Sequence, residues 1–345
     1  MRAQIPQSRA GRVALLLPPL AGAVALVIWR GPDTGVVREA FALVAWGWVA
    51  AAVAINFVSV LFRSVAWKVV IDQAVAPPKP RRRTVFAAFS IGLLGNAALP
   101  GRVGEIARVV VLTRRMPSRP GTWATIVGTV FAHRIFDVLA AVALVVYVLY
   151  AARIPNWAVP GLAIVLGIGV GALIAGVLLV HYRSRVPIEE VGPIRRALRT
   201  ARRGLEVLKR PIPAGSAIIL QLLGWTAQLF AVWATLKAFR IDVPLSAAAL
   251  VLVLMNLATI FPLWPGNIGL LQAAVALPLL SYGVAYRHGF AFGIGLQAIE
   301  ASVGVGLGLL FLAREGFSFA TLKDMREMSD VDLEERTDER VARIA

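Results

Sequence analysis

Seven ionisable residues stand where ionisable residues are costly, inside long apolar stretches of a 345-residue chain. Arg102, Glu105 and Arg108 follow a Pro100-Gly101 break. His133, Arg134 and Asp137 fall in the apolar run 121–150, and Glu300 falls in the run 286–312. A charged side chain at the centre of a membrane helix costs about 2.5–3.5 kcal/mol on insertion scales, so such residues tend to face a protein interior and mark a pathway. The spacings 102/105/108 and 133/134/137 place each trio on one helical face. Arg102 sits just past a turn, where free backbone N–H groups and the helix dipole favour an anion. A guanidinium can grip phosphate through two parallel hydrogen bonds. The chemistry implied is therefore recognition of an anionic headgroup, with Glu105 balancing Arg108 and Asp137 holding Arg134. The competing bland reading is a self-neutralised Arg134–Asp137 pair that only fixes packing, with Arg102 snorkelling to the interface.

The elements that must position these residues are apolar helices. Six spans are predicted, at roughly 13–29, 40–62, 121–150, 158–181, 213–237 and 286–312, each near the 20 or so residues a bilayer requires. Two further apolar regions, 84–115 and 245–283, are each cut near the middle by Pro-Gly: Pro100-Gly101 with Gly104, and Pro265-Gly266 with Gly269. Proline removes a helix hydrogen bond and glycine permits a sharp reversal. The pieces on either side are short for a span and suit a helix pair that enters and leaves by one face.

The two broken regions lie in matching surroundings. Pro100 and Pro265 are 165 residues apart, and the same offset carries Asn56 onto Gln221, both polar within apolar runs. Arg134 stands 33 residues after Gly101 and Glu300 stands 34 after Gly266. The expectation is an all-α integral membrane protein with about six transmembrane helices plus two re-entrant hairpins in an inverted repeat, repeat one at about 40–150 and repeat two at about 213–312. Transporters of this architecture hold substrate where the repeats meet, so Glu300 is expected to face Arg102, Arg108 or Arg134.

Composition agrees. Hydrophobic residues make up 58% of the chain and charged residues 16%, against about 45–50% and 25% in soluble domains. The net charge of +17 resides between apolar runs, in 63–83 (Arg63, Lys68, Lys79, Arg81, Arg82, Arg83) and in 182–212. Basic loops stay on the cytoplasmic side, so nucleic acid is excluded as a partner. The N- and C-termini are expected to be cytoplasmic and the membrane to be the cell (inner or plasma) membrane. The 182–212 loop has helical apolar spacing at Ile194, Leu198, Ala201 and Leu205 between basic residues, as in a helix lying on anionic lipid. Residues 321–345 read as a cytoplasmic tail after a membrane domain at 1–320. With no Cys and 3 His, neither metal nor cofactor is expected.

The Leu-Pro-Gly-Arg-x-Gly-Glu run at 99–105, the Arg134-x-x-Asp137 pair and the Pro265-Gly266-x-x-Gly269 run resemble the flippase-like membrane region of lysylphosphatidylglycerol synthases, in its stand-alone form. The resemblance covers about 13–312 and implies that a lipid is moved between leaflets: an aminoacylated phospholipid or a polyprenyl-phosphate-linked sugar. It points to Pro100, Gly101, Arg102, Gly104, Glu105, Arg134, Asp137, Pro265, Gly266 and Gly269. Family members often carry a further Gly where this chain has Asn267, and a Glu near the position of Gln272. Only 33 residues follow 312, too few for the soluble aminoacyl-transferase domain, so synthesis of the lipid is not expected.

The leading expectation is a lipid flippase or transporter without ATP hydrolysis, since no Gly-x4-Gly-Lys-Ser/Thr loop occurs, and with no catalytic residues. Its substrate-binding residues would be Arg102, Glu105, Arg108, His133, Arg134, Asp137 and Glu300. Its partners are membrane lipids, anionic or sugar-linked, and association of identical chains is compatible with it. Two alternatives belong to other classes: a membrane-embedded enzyme acting on a lipid phosphate, for which His133 and Asp137 are the near pair, and a non-transporting factor in envelope assembly.

Overall fold

Long runs of Ala, Val, Leu and Ile with few breakers make helices, and helices dominate the computed structural model. It describes residues 35, 41–98, 104–117, 121–182, 207, 210–259, 267 and 269–314. Along these the chain forms α1 (Trp46–Ala74), α2 (Arg82–Ala98), α3 (Gly104–Arg114), α4 (Thr122–Ala151), α5 (Val159–Tyr182), α6 (Pro211–Ala238), α7 (Leu245–Ala258), α8 (Leu270–Leu279) and α9 (Tyr286–Arg314). There is no strand among the described residues. The predicted span 13–29, the 187–206 stretch of the basic loop and the tail lie outside them.

Four helices are long and apolar enough to cross a membrane: α1, α4, α6 and α9 over Tyr286–Phe311. At 1.5 Å per residue the 30 residues of α4 extend about 45 Å, well past a hydrocarbon core of about 30 Å. Only 28–44% of the most apolar window in each of these helices is buried inside the protein. Bulky apolar side chains such as Phe131, Ile168 and Ile219 face outward, which water would penalise and lipid would not. Trp123 and Tyr150, at opposite ends of α4, are 54% and 93% exposed, as aromatic side chains are at membrane–water interfaces. α5 is 24 residues long. By contrast α2, α3, α7 and α8 have 17, 11, 14 and 10 residues, each below the spanning length.

One sequence boundary moves. The second predicted span, 40–62, ends at 62 and gives Arg63 and Lys68 to a loop, but α1 continues to Ala74. Its charges are neutralised where they stand: Lys68 pairs with Asp72 one turn on, and Arg63 pairs with Asp137. A hydropathy window counts such charges as a helix end because it cannot see their partners.

The described residues fall into two compact units. One is drawn from Phe57–Ala140, Ile168–Thr226 and Ala301–Ala345. Within it α2 and α3 meet through glycines. A Cβ on Gly95 would lie 2.8 Å from Gly104 Cα, and one on Gly92 would lie 2.9 Å from the Gly104 carbonyl oxygen. Backbones that touch this closely are how membrane helices gain packing energy without a hydrophobic drive. Gly104 N–H donates to Asn96 Oδ1 at 3.0 Å, closing the pair at its turn end. Trp67 is fully buried and donates from Nε1 to Thr129 Oγ1 at 3.2 Å, tying α1 to α4. α1 also meets α6, where Ser59 Oγ donates to the Gly224 carbonyl at 2.7 Å.

The other unit is drawn from Met1–Asn56, Ala141–Gly167 and Ala227–Glu300. Here Asn267 and Gly269 adopt positive φ of 44° and 90°, the left-handed region that glycine tolerates best and asparagine next. Asn267 Nδ2 donates to the Ala258 carbonyl at the end of α7, 3.2 Å away. Gly269 N–H donates to Gln272 Oε1 at 2.6 Å, capping α8. α8 packs on α9 through small residues: a Cβ on Gly289 would lie 2.9 Å from Ala276 Cα. Ala52, Ala234 and Ile299 form the buried centre between α1, α6 and α9, and Trp48 meets Trp233 edge to face at 5.7 Å.

Candidate functional site

The site lies within the first unit. α4 contributes His133, Arg134 and Asp137, α3 contributes Glu105 and Arg108, and α1 contributes Arg63. Asp137 is buried at 6% exposure and accepts four donors: Arg63 Nη2 at 3.0 Å, Arg134 Nη1 at 3.2 Å, Trp225 Nε1 at 3.2 Å and Gln221 Nε2. A carboxylate withdrawn from water needs such fixed donors in place of its hydration shell. Arg63 also lies over the Trp225 ring, 5.6 Å from its centroid.

Arg134 reaches past Asp137 to Glu105, and Glu105 in turn pairs with Arg108. The result is a ladder of alternating charge: Arg63, Asp137, Arg134, Glu105, Arg108. Its members differ in access. The Arg108 side chain is 5% exposed, Arg63 21% and Arg134 40%. Arg108 is held by aromatic faces, 4.9 Å from the Trp67 centroid and 5.8 Å from that of Phe89, contacts worth up to about 2 kcal/mol when desolvated. The Arg108–Glu105 contact is an ion pair without hydrogen-bond alignment. Arg108 Nε and Nη2 have no hydrogen-bond partner in the protein.

His133 is 1% exposed. Its Nε2 lies 3.1 Å from the Arg63 carbonyl oxygen. A carbonyl only accepts, so Nε2 carries the proton, and Nδ1 is turned toward Asp137 Oδ2 at 3.6 Å. His133, the five ladder residues, Phe89, Gly92, Leu93, Asn96 and Gly104 line one cavity of about 40 Å³, room for a few water molecules.

Six of the sequence-predicted residues thus come together: Gly104, Glu105, Arg108, His133, Arg134 and Asp137. Pro100, Gly101, Arg102, Pro265 and Gly266 lie outside the described residues. Gly269 caps α8 in the second unit, where Glu300 accepts from Gln228 Nε2 at 3.2 Å. Three members were not anticipated as site residues. Arg63 reads in sequence as the first cation of a loop. Gln221 does stand out as a polar residue in an apolar run, but its partner does not. Trp225 carries no signal, since tryptophan is common in membrane helices.

Apolar helices exposed to lipid, with a buried ladder of charge between three of them, define a multi-pass membrane protein. The chain belongs to the family of the lysylphosphatidylglycerol synthase TM region, whose model matches residues 11–308. No curated protein and no solved structure matches it.

Proposed function

We propose that the protein is a lipid flippase or lipid transporter of the cell (inner or plasma) membrane. It would carry a lipid with an anionic or lipid-linked headgroup from one leaflet to the other, using Arg134 and Arg108 to engage the headgroup while the acyl or prenyl tail stays in the bilayer. The observation that carries this reading is the charged ladder itself. Five ionised side chains within apolar helices cost too much to serve packing alone when an apolar core of equal volume would be as stable. The most exposed of the three guanidinium groups, on Arg134, also borders a cavity.

Features of both units support the inverted-repeat architecture that alternating access requires. α2/α3 and α7/α8 are too short to span, as re-entrant hairpins must be. The 165-residue offset carries Arg63 onto Gln228, and in each proposed repeat that position on the first long helix bonds a carboxylate on a later one: Asp137 for Arg63, Glu300 for Gln228. Termini facing the cytoplasm follow from the Lys- and Arg-rich segments.

The test is reconstitution of the full chain in liposomes with fluorescent phospholipid analogues in both leaflets, followed by an impermeant quencher. A flippase makes the protected half of the label accessible over minutes, and Arg134→Ala abolishes this. Unchanged leaflet protection in protein-containing vesicles, across anionic, zwitterionic and prenyl-phosphate lipids, would sink the proposal.

A further inference from the structure

We infer that Glu105 is not a ligand for the substrate but its built-in competitor: the Glu105 carboxylate occupies the seat that a phosphate-bearing headgroup takes, and binding proceeds by displacing it. The inference rests on the reading of the ladder as a headgroup site.

The seat is made for an anion. Glu105 Oε1 meets Arg134 Nη2 and Glu105 Oε2 meets Arg108 Nη2. The carboxylate also lies in the first turn of α3, where helix N–H groups and the dipole favour negative charge. A phosphate oxyanion and a carboxylate compete for the same two guanidinium groups. Arg108 is 4% exposed, yet its Nε N–H has no partner in the protein and its Nη2 meets Glu105 without hydrogen-bond alignment, while the residue lines the cavity. Glu105 therefore neutralises Arg108 without satisfying it, and those donors remain for an oxygen that approaches from the cavity.

Space points the same way. With Glu105 in place the cavity is about 40 Å³, lined in part by that carboxylate and roomy enough for a few waters. Moving one carboxylate enlarges it at the point where the two guanidiniums converge. Glu105 has somewhere to go, because its side chain is 23% exposed, whereas Asp137 at 9% is held by four donors and stays. One carboxylate is thus exchangeable and the other fixed, which lets the empty site stay neutralised without excluding substrate.

The experiment is calorimetric titration of the full chain, in nanodiscs of phosphatidylcholine, with dioctanoyl phosphatidylglycerol and separately with inorganic phosphate. Wild type, Glu105→Gln and Arg134→Ala are compared. Removing the competitor's charge is expected to tighten binding about tenfold, the worth of one charge-assisted contact, while Arg134→Ala abolishes it. Should Glu105→Gln not be monodisperse, Glu105→Asp, one methylene too short to reach both guanidiniums, carries the same expectation. Binding that is equal or weaker in the Glu105 variants but still lost in Arg134→Ala overturns the competitor role and leaves the headgroup site standing. Absence of binding in wild type and Glu105 variants alike overturns both. Tightening seen for inorganic phosphate as strongly as for the lipid supports the displacement and assigns the seat to a free anion.

Discussion

Ser59 donates its hydroxyl hydrogen to the carbonyl oxygen of Gly224, a residue 165 positions along the chain, across 2.7 Å. That separation equals the spacing of the two Pro-Gly breaks, Pro100 and Pro265. Helices α1 and α6 therefore touch at equivalent points of the proposed repeats, as two copies related by a pseudo-two-fold axis do only where they cross it. A Cβ on Gly224 would lie 2.6 Å from Arg63 Cγ and 3.4 Å from the Ser59 carbonyl oxygen. Gly224→Val is expected to force the helices apart and lift Arg63 from Asp137. Overpacking of this kind costs about 1–3 kcal/mol, read as a fall in the thermal midpoint of the detergent-solubilised protein. Ser59→Ala should cost under about 1 kcal/mol, the range of single hydrogen bonds between membrane helices.

The ladder makes a second prediction. Asp137→Asn removes the charge that Arg63 and Arg134 share and should destabilise by about 1–3 kcal/mol, since the donors gathered on that buried carboxylate lose a charged acceptor. Arg63→Gln in the same chain should recover part of that loss. A double-mutant cycle on unfolding midpoints measures the coupling, and additive losses would falsify the pairing.

A third concerns the aromatic faces around Arg108. Trp67→Leu keeps the volume apolar but deletes both the ring under Arg108 and the bond to Thr129 Oγ1. Headgroup binding should weaken at least as much as stability falls. Trp67→Phe, which retains a π face and loses only the indole N–H, should restore most of the binding. Equal binding by the two variants would show that the ring contact does not position Arg108.

Gln272 supplies a fourth. Its Oε1 accepts Gly269 N–H, and its Nε2 donates to Gln297 Oε1 at 2.6 Å. A carboxylate at 272 would still accept from Gly269 and would accept from the Gln297 amide once that amide is flipped. Gln272 is 2% exposed, so Gln272→Glu buries a new charge beside neutral donors and is expected to destabilise by about 2.5–3.5 kcal/mol near neutral pH. Circular dichroism melts of both forms check it, and an unchanged midpoint would mean that the Gly269 and Gln297 donors compensate the charge.

Much of the helical plan is legible in the amino-acid order. The limits of α4 and α6 fall within a residue or two of the predicted runs, because apolar residues dominate between their ends and the few polar ones do not interrupt the helix. The cluster on α3 and α4 is legible too, because the i,i+3 and i,i+4 spacings dictate a shared face whatever the tertiary structure. What escapes is long-range. Arg63 belongs to the site through Asp137, 74 residues away, and Trp225 through the same carboxylate, 88 residues away. Local spacing holds no information about either. Glu300 illustrates the converse: a lone acid in a span predicts that a partner exists, and Gln228, itself uncharged and 72 residues away, is not a residue that charge counting would choose.

The glycine seam between α2 and α3 divides the hairpin into a part that cannot vary and a part that can. Gly92, Gly95 and Gly104 have no side chain to exchange, and any larger residue there meets backbone. Ile106, one residue beyond Glu105, is 39% exposed. On the proposed reading, selection for a different headgroup is channelled onto Glu105, Arg108 and their neighbours on α4, over a scaffold that holds its shape while the cargo changes.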